Sequence, residues 1–117
     1  MSARMRTLRD PDISEDAFQA QVIELARVLG WEHMHVRRSI GKGRKWTTAT
    51  NVVGWPDLTL WSHRHRRVMF VELKSNSGAV TPEQLEVHRS LRDAGQEVYV
   101  WRPSTWDEAV EILGGRR

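Results

Sequence analysis

Three residues in the middle of the chain have types and spacing that could do chemistry. Asp57 follows Pro56 directly, and Glu72 comes fifteen residues later, in the run Glu72-Leu73-Lys74. Val68-Met69-Phe70-Val71-Glu72-Leu73-Lys74 is dominated by aliphatic and aromatic residues and reads as a strand. Side chains alternate faces along a strand, so Glu72 and Lys74 point the same way, roughly 7 Å apart, while Met69, Val71 and Leu73 point into a core. Charges on an otherwise buried strand are costly unless they are paired or bind a metal. Two carboxylates can hold a divalent cation that keeps several waters and contacts substrate oxygens. An adjacent ammonium can position or help deprotonate a water and stabilise developing negative charge. Together these are the requirements of phosphodiester hydrolysis.

The elements that must position these groups can be read outward from them. Asp57 to Trp61 is a short strand with Leu58 and Leu60 inward, and Ser62 to Arg67 is a polar, basic hairpin connection to the strand at 68–74. Ser75-Asn76-Ser77-Gly78 breaks the chain. Thr81-Pro82-Glu83-Gln84 then opens a helix, with Thr81 as N-cap, Pro82 at the first helical position and Gln84 closing a capping box. Leu85, Val87, His88 and Leu91 form its expected inner stripe, and Gly95 its stop. Val98 to Trp101 is a further strand, ended by Pro103, and Ser104 to Leu113 a final helix with Trp106, Val110 and Leu113 inward.

Upstream, Ser14 is a plausible N-cap, with Glu15 and Asp16 in the first turn where the helix dipole favours anions. Phe18, Val22, Leu25 and Leu29 follow at helical spacing, and Gly30 ends the helix. Trp31 to Arg37 alternates as a strand, with Trp31, His33, His35 and Arg37 on one face. Residues 38–53 have no clear period and are expected to form a long loop. Residues 1–13 read as a basic, flexible arm, and 14–117 as one domain. The strand–helix–strand passage from 68 to 101 predicts a parallel, right-handed crossover beside an antiparallel hairpin, hence a mixed α/β sheet with helices on both faces.

A chain of 117 residues with 39% hydrophobic and 28% charged content fits one soluble globular domain. No apolar run approaches the roughly 20 residues of a membrane helix, and no apolar segment follows the basic N-terminus as in a secretory signal. Cysteine is absent, which excludes disulfides and thiolate metal sites and fits the cytoplasm. The net charge is +3, and arginine outnumbers lysine fifteen to three. Arginine makes forked contacts to phosphate, so the clusters at Arg37-Arg38, Lys42 to Lys45 and Arg64 to Arg67 point to a phosphate-rich partner. The segment Lys42, Arg44, Lys45 and Trp46 could contact phosphates and stack on a base. His33 and His35 on one strand face could bind a transition metal, but no third ligand is indicated, and His63 with Arg64, Arg66 and Arg67 reads as a solvated or phosphate-contacting turn.

The order helix–three strands–helix–strand, with Gly54-Trp55-Pro56-Asp57-Leu58, Phe70-Val71-Glu72-Leu73-Lys74 and Thr81-Pro82-Glu83-Gln84, resembles the PD-(D/E)xK nuclease superfamily. It is most similar to the VRR-NUC branch, especially the small stand-alone nucleases often encoded by phages. Glu15 with Phe18-Gln19, and Val98-Tyr99-Val100-Trp101-Arg102-Pro103, also match, so the likeness spans residues 14 to 113. The resemblance implies a restriction-endonuclease-like mixed sheet with an αβββαβ core and a short C-terminal helix. It implies Asp57 and Glu72 as ligands of Mg²⁺ or Mn²⁺, Lys74 beside the attacking water, Glu15 reaching the site as a further acid and ligand, and Gln84 entering from the second helix. Asp16 and Gln19 are the alternatives for the place of Glu15.

The expected activity is metal-dependent endonucleolytic cleavage of DNA, selective for structure, with four-way junctions or other branched DNA as substrate. Arg37, Arg38, Lys42, Arg44, Lys45, Trp46, Arg64, Arg66 and Arg67 are the expected DNA contacts. A homodimer is implied, with no membrane and no small-molecule cofactor, and host cytoplasm as location if a phage encodes the chain. Two other readings use the same residues: a DNA-binding module without hydrolysis, and a nuclease subunit that needs a specificity partner.

Overall fold

The computed structural model describes residues 13–36, 38–40, 46–48 and 51–117. The first helix, α1 (Glu15–Val28), starts where Ser14 Oγ accepts the Ala17 amide at 3.1 Å. Such a cap is worth about 1 kcal/mol. Its buried stripe is Phe18, Val22 and Ala26, with Leu25 and Leu29 at the margin. Gly30 turns the chain out of the helix at φ +91°.

Strand β1 (Glu32–His35) follows, and Trp31 just before it is anchored by an indole N–H donated to the Leu113 carbonyl at 2.8 Å. The stretch expected to be a long loop instead contains two three-residue strands, β2 (Arg38–Ile40) and β3 (Trp46–Thr48), paired antiparallel with Ile40 opposite Trp46. A ribbon this short carries too few residues to impose a readable alternation.

The central hairpin is β4 (Leu58–Ser62) and β5 (Arg67–Leu73). The second helix, α2 (Pro82–Asp93), has the expected reciprocal capping box: Gln84 N–H donates to Thr81 Oγ1 at 3.1 Å, and Thr81 N–H to Gln84 Oε1 at 2.9 Å. Strand β6 (Glu97–Trp101), one 3₁₀ turn (Pro103–Thr105) and α3 (Trp106–Leu113) complete the described fold.

The main sheet has the order β1-β4-β5-β6. β4 is antiparallel to both β1 and β5, and β5 is parallel to β6, so α2 forms the expected crossover. Leu58, Leu60, Met69, Val71, Leu73 and Trp101 cover one face and are fully buried with Phe18, Val22, Ala26, Ala109 and Leu113. The other face carries Thr59, Trp61, Phe70 and Glu72, and α2 reaches it at Glu72 through Gln84 and His88.

Two stripes differ from the periodic reading. In α2 the buried residues are Gln84 and His88, while Leu85 is 56% exposed. In α3 they are Trp106, Ala109, Ile112 and Leu113, and Val110 faces out. No described helix is long and apolar enough to cross a membrane.

Candidate active site

Asp57 enters from the residue before β4, Glu72 from near the end of β5, and Lys74 from the residue after it. The Leu73 amide donates to Asp57 Oδ2 at 2.8 Å, which fixes the Asp57 carboxylate across the hairpin against the strand that carries Glu72. The Lys74 amide donates to the Trp101 carbonyl at 3.1 Å, so the parallel pairing continues one residue past β5 and holds Lys74 on the Glu72 face.

Glu72 is 1% exposed and its two oxygens face α2. Gln84 Nε2 donates to Oε2 at 3.3 Å, and His88 Nε2 lies 3.2 Å from Oε1. Gln84 thus serves the capping box and the site at once, because the helix start abuts the end of β5. His88, expected only as part of an apolar stripe, is a site residue. The signal for it was its place four residues after Gln84, on the same helix face.

Burial pushes the Glu72 carboxyl up to about 9, reinforced by the hydrogen bond to Asp57 and by the Asp57 charge; Lys74 opposes the rise, and Glu15 adds to it. Burial lowers the proton affinity of His88, as does the charge of Arg92. Burial and the Asp57 charge therefore favour the protonated form of Glu72, and burial favours the neutral form of His88.

The loop into Asp57 is pinned to the same helix. Gly54 has φ +93°, and a Cβ built on it would stand 2.6 Å from the Glu83 carbonyl carbon and oxygen and 2.8 Å from the Gln84 nitrogen. Only glycine allows this approach. On the other side, Arg102 Nη1 donates to the Ser75 and Gly78 carbonyls at 2.6 and 2.5 Å, strapping the turn that follows Lys74 to the end of β6.

Glu15 is exposed in the first turn of α1, and its charge reaches Glu72. Among the described residues no three acids or histidines are gathered into a metal-ligating set, so Glu15, expected as a further ligand, does not join Asp57 and Glu72 in one. The two remaining carboxylates do suit a cation. They are hard oxygen donors held close enough to share a proton, at a burial that disfavours two charges, and a divalent ion would relieve that repulsion.

The expected DNA contacts divide. Arg64 and Arg66 are exposed in the β4–β5 turn. That turn lies at the opposite end of β4 from Asp57, about 17 Å away for five residues of strand. Arg67 corrects the sequence reading: its side chain is 2% exposed and forms a forked pair with Glu97, with Nε to Oε2 at 3.0 Å. It also donates to the Arg116 carbonyl at 2.8 Å and lies over the Trp31 ring. Its fork is spent inside the protein, not offered to a phosphate. Arg37, Lys42, Arg44 and Lys45, with the side chains of Arg38 and Trp46, lie outside the described residues. His33 and His35 stack on each other, and His65 stacks on Trp31 with Nε2 2.9 Å from the Leu29 carbonyl.

A mixed sheet between helices, with two acids and a lysine converging where a hairpin strand meets a crossover helix, defines a restriction-endonuclease-like nuclease domain. The VRR-NUC domain model matches residues 9–104, and the chain belongs to that family. A solved structure described as a VRR-NUC domain is similar over 83% of this chain and 94% of its own length, with 28% identity and a TM-score of 0.59. No curated protein matches the chain. The protein is accordingly a nuclease-type domain that acts on DNA.

Proposed function

We propose that this chain is a Mg²⁺- or Mn²⁺-dependent DNA endonuclease, selective for branched DNA such as a four-way junction, and active as a homodimer. The observation that carries the metal dependence is the contact between Asp57 and Glu72: two carboxylates, one fully buried, held together by the Leu73 amide on one side and α2 on the other. Asp57 and Glu72 would hold the cation, which supplies charge neutralisation at the phosphate and activation of water.

The protein's own groups do the rest. The Leu73 amide keeps Asp57 aimed across the hairpin, and Gln84 keeps Glu72 from turning away from it. Lys74, on the Glu72 face, orients the attacking water and offsets negative charge as the phosphorus becomes pentacoordinate. Arg102 fixes the turn behind Lys74, so the ammonium has a defined origin. Arg64 and Arg66, remote from the cut, would contact phosphates farther along the duplex.

The dimer reading is supported by an open part of the sheet. Met34, Trp61 and Val68 lie on one face and are 51%, 39% and 45% exposed, with Trp61 directly opposite Val68. A twofold interface would cover this strip.

The test is cleavage of labelled duplex, nicked, flap, single-stranded and four-way-junction DNA with Mg²⁺, Mn²⁺ or EDTA, with the mass of the active species measured in parallel. Metal-dependent cutting of a branched substrate by a dimer is expected. Equal cutting of all substrates removes the structure selectivity, an active monomer removes the dimer, and binding without cutting favours a non-hydrolytic module or a missing partner.

A further inference from the structure

His88 is 1% exposed, and among the described residues its Nδ1 has no hydrogen-bond partner. Its Nε2 lies 3.2 Å from Glu72 Oε1. A buried imidazole with one orphaned nitrogen carries an unmet desolvation cost that a leucine of similar reach would not. The fold therefore gains little from a histidine at this place. What the imidazole does provide is a second hold on the one carboxylate that Gln84 already holds by its other oxygen.

We propose that His88 is a positioning residue for metal binding. Resting on the reading that Asp57 and Glu72 hold the cation, it fixes the plane of the Glu72 carboxylate so that its free lone pairs converge with those of Asp57. Gln84 and His88 are one helical turn apart, so their polar tips are stacked along α2 and grip the two oxygens at two points. A carboxylate held at one oxygen still rotates about its last bond; one held at both does not. Each oxygen retains capacity for a further partner, which leaves the cation its ligands.

The geometry also says which substitutes should work. A glutamine amide nitrogen reaches about as far from the backbone as histidine Nε2, and an asparagine amide only as far as Nδ1. His88→Gln should therefore restore the contact to Oε1, and His88→Asn, equally polar and smaller, should not.

The experiment is Mn²⁺ titration by calorimetry of the wild type, His88→Gln, His88→Asn and Asp57→Asn, each first shown to be folded by circular dichroism, with single-turnover cleavage measured beside it. His88→Asn should lose about 10–100-fold in Mn²⁺ affinity, the usual effect of removing a partner that orients a ligand. His88→Gln should stay within about threefold of the wild type. Wild-type affinity in His88→Asn, or equal losses in the Gln and Asn variants, would overturn the role of His88 while leaving the metal site intact. Failure of the wild type to bind Mn²⁺, or unchanged binding in Asp57→Asn, would overturn the metal site and this inference with it.

Discussion

Gly54 and Glu83 touch backbone to backbone: a Cβ on Gly54 would stand 2.6 Å from the Glu83 carbonyl. The loop that delivers Asp57 and the helix turn that delivers Gln84 are thereby locked into one unit, and Glu72 lies between them. The site is set less by its own ionic attractions, which are unfavourable without a cation, than by this close approach of two backbones.

Gly54→Ala tests that lock directly. The left-handed φ and the overlap with Glu83 together should cost on the order of 1–3 kcal/mol. The lost stability should appear in urea unfolding, with reduced Mn²⁺ affinity in the fraction that folds. A variant as stable as the wild type would show that the loop can move off α2 freely.

The metal-free protein should carry a pH signature. Glu72 titrates near 9 when folded, against an ordinary carboxyl value of 4.5 when unfolded, so between these pH values the folded state binds the extra proton. Stability from this group is full below about pH 4.5 and declines as the pH rises through about 9. Glu72→Gln mimics the protonated form at every pH. In EDTA, the stability of Glu72→Gln relative to the wild type should therefore increase steadily from pH 5 to 8.5, and saturating Mg²⁺ should diminish that trend. A constant difference across the range would mean that Glu72 is not raised.

Arg67 and its neighbours in the turn should separate cleanly. Arg67→Ala removes the buried half of a pair whose Glu97 is 29% exposed and keeps the Tyr99 hydroxyl, and should lose about 2 kcal/mol of stability, with little change in DNA affinity per folded molecule. Arg66 sits at φ +53°, a left-handed conformation that favours glycine. Arg66→Gly should gain about 1 kcal/mol, and if the turn contacts phosphates it should bind DNA more weakly with a shallower salt dependence. The opposite pattern, with Arg67→Ala stable but defective in binding, would return Arg67 to the DNA surface.

Much of this architecture was legible from side-chain chemistry acting locally. Ser14, Thr81, Pro82 and Gln84 announce their helices because caps satisfy backbone groups within three residues. Met69, Val71 and Leu73 announce β5 because a two-residue period has one core face. The acids and lysine stood out as charges inside such a run. What escaped reading depends on partners distant in sequence. His88 is buried as its place in the stripe implies, but Gln84 takes the inward place expected of Leu85, because α2 faces a carboxylate rather than a core at that point. Arg67 looks like one more basic turn residue until Glu97, thirty positions on, is seen to receive it. The β2–β3 ribbon is too short to show a period of its own.

The central claim is that Asp57 and Glu72 jointly hold the cation on which cleavage depends, with Lys74 orienting the attacking water. The most direct measurement is single-turnover cleavage of a labelled four-way junction in Mg²⁺, Mn²⁺ and EDTA by the wild type, Asp57→Asn, Glu72→Gln and Lys74→Ala, with DNA binding measured alongside. The account predicts cutting only with metal, a loss of about 100-fold or more in each variant, and binding by Lys74→Ala close to that of the wild type. Cutting in EDTA, or normal cutting by Asp57→Asn or Glu72→Gln, would contradict it.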